Sequence, residues 1–189
     1  MQKEIQSIVN AVSVTSETAI EKIVTLAESI HYEKGELITT VGMKNHHEYF
    51  VLDGICHSYL SSPEGENITI SFFMSESIIS PSTTRNQLGH SLINIKALTA
   101  VTVVAINATE FEKLMIDDLE IREFGNSVLR NELLEKVQKE ISLASYKAKD
   151  RLLLLRKKFP MLENKIPHAA IASYLGITTI SLSRLRTQS

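Results

Sequence analysis

The sequence predicts an α+β fold, with helices at both ends of a run of short strands that close into a β-sandwich or jelly roll. Three patterns carry this. About seven short apolar stretches between His31 and Ile106 are separated by turn residues. An unbroken helical periodicity of about 27 residues follows, from Asp118 to Ala144. The segment Lys165–Arg186, KIPHAAIASYLGITTISLSRLR, then reads as two short helices joined by a glycine-containing turn.

Ile5, Ile8, Val9 and Val12 share one helical face and predict a short amphipathic helix. Ser16 can cap a second, with Ala19, Ile20, Ile23, Val24 and Ala27 as its apolar face. Strands are expected at 31–34 and 36–41, turning at Lys34–Gly35. Strands at 48–52 and 55–60 flank Asp53–Gly54, a hairpin signal because both residues tolerate positive φ. Pro63, Glu64 and Gly65 make the next turn, and strands at 67–73, 92–98 and 102–106 complete the set. The stretch 75–89, with its serines, threonines, Pro81, Arg85 and Gly89, reads as a loop or short irregular helix; long loops in compact domains are commonly functional or mobile.

Asn107-Ala-Thr-Glu110 resembles a capping box and starts a helix before Phe111 and Leu114. In the long helix after it, Ile121, Phe124, Val128, Leu134, Val137, Ile141 and Ala144 step by three and four, as in a coiled-coil seam. Phe124, Val128, Asn131, Leu134, Val137 and Ile141 are the expected interface of a homodimer, with Asn131 as a polar register-setter. A further helix is expected from about Tyr146, carrying Leu152 and Leu155 and ending before Pro160.

In the closing segment Pro167 suits a first helical position, Gly176 a left-handed helix end, and Thr178 the cap of a second helix. Leu182 and Leu185 face inward there, leaving Thr179, Ile180, Ser183, Arg184 and Arg186 outside. This is the helix-turn-helix pattern, whose second helix enters the DNA major groove. Charge agrees. Residues 1–145 hold 11 Lys+Arg against 20 Asp+Glu, whereas residues 146–189 hold 9 against 2. A basic tail on an acidic body suits phosphate contact, with Lys157, Lys158, Lys165, Arg184 and Arg186 as positioning cations.

Other classes find less support. No apolar run approaches the roughly 20 residues of a membrane span, and MQKEIQSIVNAV is too polar for a signal peptide, so a cytoplasmic protein is expected. One cysteine, Cys56, excludes a four-thiolate metal site within the chain; it could sense redox state only if exposed with a low pKa. His46, His47 and Glu48 prompt a cupin-like metal alternative, but adjacent strand residues point to opposite faces. His168 is better placed near DNA phosphate. No catalytic triad, P-loop or glycine-rich nucleotide fingerprint is visible, so neither enzyme activity, cofactor nor metal is expected.

The order of β-roll, long helix and basic helix-turn-helix resembles the Crp–Fnr family of bacterial transcription regulators. IASYLGITTISLSRLR carries the resemblance most specifically, through Ala172, Gly176, Leu182 and Leu185; FVLDGICHSYL is similar to the family's first β-roll hairpin, and LINIKALTAVTVVAI to its last strand pair. The resemblance implies a β-roll sensor domain at 1–117, a dimerisation helix at 118–145, and a winged-helix-like DNA-binding domain at 146–189. It implies a homodimer on duplex DNA, with RNA polymerase as a further partner. Thr179, Ile180 and Arg184 match base-reading positions, and Thr178, Ser181 and Ser183 phosphate neighbours. Ile180 departs from the acidic residue common there and could meet a thymine methyl. The resemblance breaks at the effector. Cyclic-nucleotide binders resemble one another in a Gly-Glu pair and a later Arg-Ser/Thr pair; here these read Ser75-Glu76 and Ser91-Leu92. A buried phosphate without a charge partner is costly. Glu76, Arg85 and Ser91 are the candidate pocket residues, Arg85 being a loop residue that could stand in for the missing arginine, and an effector other than cyclic AMP, or none, is expected. The competing reading is a ligand- or protein-binding β-roll that does not bind DNA.

Overall fold

Two amphipathic helices, α1 (Gln2–Val12) and α2 (Glu17–Thr25), begin the computed structural model, which describes residues 1–80 and 84–187. Pro81, Ser82 and Thr83 of the expected loop lie outside the described residues. Ile5, Ile8 and Val9 of α1 meet Ala19, Ile20 and Ile23 of α2 in one core. The Ser16 hydroxyl accepts from Ala19 N at 3.3 Å, as its capping role requires. Strand β1 (Ala27–Tyr32) starts earlier than the periodicity suggests, taking Ala27 from α2, because it pairs along its whole length with β8 (Val101–Asn107).

The remaining strands are β2 (Leu37–Thr39), β3 (His47–Asp53), β4 (Ile55–Ser61), β5 (Asn67–Met74), β6 (Ser77–Ile79) and β7 (Asn94–Ala97). They form two four-stranded antiparallel sheets, ordered β1-β8-β3-β6 and β2-β7-β4-β5. Asp53–Gly54 is therefore not a hairpin turn. It is a corner where the chain leaves one sheet for the other, since β3 and β4 share no ladder. Gly54 is required there: its φ is +92°, and a Cβ would lie 2.1 Å from the Ala100 carbonyl oxygen. The true hairpin joins β4 to β5 through the Pro63–Gly65 turn, with Ser62 N donating to Glu66 O at 2.8 Å. Strands β7 and β8 are likewise in different sheets. Strand β6, inside the predicted loop, is an addition to the predicted set.

Between the sheets Tyr49, Val51, Cys56, Ile79, Ile95 and Val103 pack in one apolar layer. The outer face of the first sheet, through Phe50, Val104 and Ile106, carries α1, α2 and the start of the long helix.

Helix α3 (Ala108–Asp117) is capped by the Asn107 side chain, which accepts from Thr109 N and Glu110 N at 3.0 and 3.2 Å. Helix α4 (Leu119–Ser145) is capped in the same way by Asp118. Its apolar residues lie on two opposite faces rather than in one seam. Ile121 and Phe124 are buried against the β-roll, with Val128 packed beside them. Phe124 stacks on Phe50 at 6.3 Å and meets Phe111 edge-on at 6.4 Å. Leu133, Leu134, Val137 and Ile141 face away and are 65, 55, 42 and 50% exposed. The expectation that Phe124 and Val128 lie in a dimer seam is thus corrected. The three consecutive steps of three from Val128 to Val137 each fall about 60° short of a full turn, which carries the stripe to the opposite face.

Helices α5 (Ala148–Lys158), α6 (His168–Tyr174) and α7 (Thr179–Thr187) follow, with a 3-10 turn at Leu162–Asn164. Their core, Leu152, Leu155, Leu162, Ile171, Ala172, Leu175 and Leu182, is continuous with Ile55, Phe72 and Leu98 of the β-roll. No strand occurs among the described residues after Tyr146, so the winged part of the expectation is not seen there. Helix α6 lies along β5, the edge of its sheet. There the Ser173 hydroxyl donates to Asn67 O at 2.9 Å and accepts from Thr69 N at 2.9 Å.

Candidate nucleic-acid interface and effector pocket

Helix α6 ends as its sequence dictates. Gly176 takes φ +64°, and Ile177 N returns to Ala172 O at 3.0 Å. Pro167 stands just before the first helical residue rather than at it. The Thr178 hydroxyl accepts from Ser181 N at 3.1 Å and donates to the Ser181 hydroxyl at 3.0 Å. Both hydroxyls, expected near phosphate, are thereby engaged in starting α7.

Leu182 anchors α7 inside, and Thr179, Ile180, Ser183 and Arg184 form its exposed face. Among the described residues the Arg184 guanidinium has no hydrogen-bond or ion-pair partner. Arg186 differs. Its Nε lies 3.2 Å from Glu163 Oε1, whose other oxygen takes Arg156 Nε at 2.6 Å, so one carboxylate ties α5 and α7 to the 3-10 turn. Arg186 Nη1 also reaches His168 Nδ1 at 3.2 Å, and His168 Nε2 lies 3.2 Å from Glu163 O. A guanidinium only donates, so Nδ1 accepts and the ring proton belongs on Nε2. Arg186 and His168 therefore brace the module, which corrects their assignment as free contacts. Lys158 is also committed, to Glu135 of α4 at 2.8 Å, whereas Lys157 and Lys165 are exposed.

The three candidate pocket residues do not converge. Glu76 sits exposed in the β5–β6 turn at φ +68°, and its Oε1 accepts from the Ser7 hydroxyl of α1 at 3.3 Å. Arg85 and Ser91 do meet, in an isolated bridge. Arg85 is nevertheless spent on Glu48 Oε1 at 2.9 Å and Asn45 O at 3.2 Å, both partners' side chains being mostly covered. Ser91 is buried, its hydroxyl donating to Ile93 O at 2.7 Å. Arg85 as a substitute phosphate anchor is thus corrected: its charge is already matched.

The histidines and the cysteine resolve by burial. His47 donates its backbone N–H to Asn45 Oδ1, and its ring lies 6.0 Å from that of Tyr49. His57, buried beneath α6, shares a 3.1 Å hydrogen bond with the Thr69 hydroxyl; burial and then Lys96 lower its pKa to about 4. Burial pushes the Cys56 thiol up to about 12, which removes the thiolate that redox sensing needs.

Residues 29–118 match the family model for the cyclic nucleotide-binding domain. A search of curated proteins finds no match. Among solved structures, FixK2 from Bradyrhizobium japonicum superposes with a TM-score of 0.74 at 19% identity, over 86% of this chain and 83% of that one. The c-di-GMP responsive global regulator CLP of Xanthomonas campestris gives 0.71 at 13%, over 92% and 91%. A transcriptional regulator of the crp/fnr family from Eubacterium rectale gives 0.68 at 20%, over 90% and 82%. The fold is that of the Crp–Fnr regulators. Within this Crp–Fnr fold the space between the two sheets is filled by side chains, among them Tyr49, Val51, Ile79 and Val103. No described helix is long and apolar enough to cross a membrane.

Proposed function

We propose that the chain is a dimeric, sequence-specific DNA-binding transcription regulator of the Crp–Fnr type rather than an enzyme, acting in the cytoplasm. The observation that carries this reading is the exposed face of α7, with Thr179, Ile180, Ser183 and an unengaged Arg184 guanidinium on a cationic module. Arg184 donates bidentately to a guanine edge, Ile180 packs on a thymine methyl, and Lys157 and Lys165 meet phosphates. The domain division at 117/118 and 145/146 follows the boundaries of the long helix.

Leu134, Val137 and Ile141, joined by Leu133, form the dimer seam, since their exposure in the single chain leaves apolar surface to cover. Asn131 lies on the other side, lining a cavity, and leaves the seam. The effector is not cyclic AMP, because Arg85 is neutralised by Glu48. RNA polymerase is the further partner of such a regulator.

The experiment is selection from a random duplex library with the purified full chain at stated salt. A two-fold half-site motif with centres about one DNA turn apart is expected. Arg184→Ala should flatten preference at one base position, while Lys157→Ala should weaken all duplexes alike. Indifference to every duplex at low salt would sink the reading and favour a β-roll module without DNA binding.

A further inference from the structure

Lys139 projects from α4 into the angle between the β-roll and the C-terminal helices. Its ammonium donates to the carbonyls of Ile70 and, at 3.5 Å, Thr69, and sits 4.0 Å above the Tyr174 ring. An ammonium has three donors, so one remains. Among the described residues no carboxylate lies within ion-pair distance of it. Its cationic neighbours are matched: Lys136 by Glu132 at 3.1 Å, and Lys158 by Glu135 at 2.8 Å. Glu76 at the β5–β6 turn is engaged by Ser7, and Glu140 is exposed on α4. Burial first, then Lys136 and Lys158, bring the Lys139 pKa down to about 8.

This amine stands at the join of two cavities. One, of about 780 Å³, runs between α1, β5 and α4 and has apolar walls that include Ile8, Val12, Phe72 and Val128. The other, of about 360 Å³, lies between α4 and α5 and is walled by Leu143 and Leu154. Both include Lys139, Lys158, Leu143 and Tyr174. The larger is of the size that takes small organic ligands, which favour apolar walls with a few fixed polar groups.

We propose that this trough is a binding site for an amphipathic anion, its single carboxylate or phosphate head on Lys139 and its apolar body along Phe72, Val12 and Ile8. The head takes the third N–H of Lys139, the one lysine of the trough with no carboxylate partner among the described residues, since Lys136 and Lys158 are held by Glu132 and Glu135 on the same walls. Glu76 lies on the wall of the larger cavity, whereas Arg85 and Ser91 line neither of the two. Its walls come from the sensor domain, the long helix and the C-terminal helices together, so occupancy reports to all three.

Calorimetric titration of the full chain at pH 7 with decanoate, decyl phosphate, decanol and decylammonium tests this. The two anions should bind at least tenfold more tightly than decanol or decylammonium; preference between them identifies the head group. Lys139→Met should abolish the advantage of the anions while leaving decanol unchanged. Should that variant fail to fold, Leu143→Trp, which fills the trough from its wall, should weaken the anions at least tenfold. Equal binding of decanoate and decanol, full anion binding by Lys139→Met or by Leu143→Trp, or no binding of any of the four compounds overturns the proposal. Because the readout is binding alone, such a failure leaves the DNA-binding reading standing.

Discussion

The two faces of α4 predict opposite behaviour for two alanine substitutions on one helix. Phe124 is 1% exposed, lies between Phe50 and Phe111, and belongs to the core shared by α1, α2 and the first sheet. Removing its ring vacates a phenyl-sized space that backbone neighbours cannot close, at a cost of about 3–5 kcal/mol. Ile141 is 50% exposed in the single chain, so its truncation removes little packing there, less than about 1 kcal/mol. Its effect should appear in association, where the same side chain becomes covered. Urea unfolding over a hundredfold range of protein concentration separates the two. Phe124→Ala should lower stability equally at every concentration. Ile141→Ala should match the parent at the dilute end and fall behind it as the parent dimerises, with light scattering showing the lost dimer. A cost below about 1 kcal/mol for Phe124→Ala would refute the division of faces. So would an Ile141→Ala deficit that persists where the parent is monomeric.

Gly54→Ala should destabilise by about 3 kcal/mol or more, since the new Cβ meets the Ala100 carbonyl and φ is +92°; an unchanged urea midpoint would contradict the corner geometry. His57 is held neutral with its pKa lowered to about 4, so its contribution is full above its unfolded value of about 6.5 and is lost as pH falls towards 4. That contribution, on the order of 2 kcal/mol after allowance for solvent screening, should shrink in His57→Gln, seen as a flatter stability–pH curve between those limits. Ser173→Ala should cost about 1–2 kcal/mol and speed amide exchange at Thr69, whose N–H loses its acceptor. Cyclic AMP should leave the thermal midpoint of the chain where it is, and a clear rise would overturn the pocket argument.

Local chemistry made much of this fold legible. Ser16, Asn107 and Thr178 cap their helices, and Gly176 ends α6 with positive φ, because these roles depend on a few neighbouring atoms. What depends on distant pairing was not legible. Asp53–Gly54 reads as a hairpin in any local window, and only the partners of β3 and β4 show it to be a corner. The α4 periodicity could not separate residues facing the β-roll from those facing out, since both sets are apolar. At the candidate site, the exposure of Thr179, Ile180 and Arg184 was readable from helical phase. The capture of Arg186 by Glu163, of Lys158 by Glu135 and of Arg85 by Glu48 was not, because each joins residues from different elements or loops. Lys139 gave no signal at all: within its helix it resembles any solvated lysine.

Ser173 has a bearing on how the molecule keeps to itself. Its hydroxyl plays surrogate neighbour to β5, filling the place where a further strand would donate and accept. Bare strand margins invite other chains to add on. A fragment cut off before α5 should therefore clump or trade segments with its twin. Any motion that lifts α6 from the roll would expose the same adhesive border until the helix is seated again.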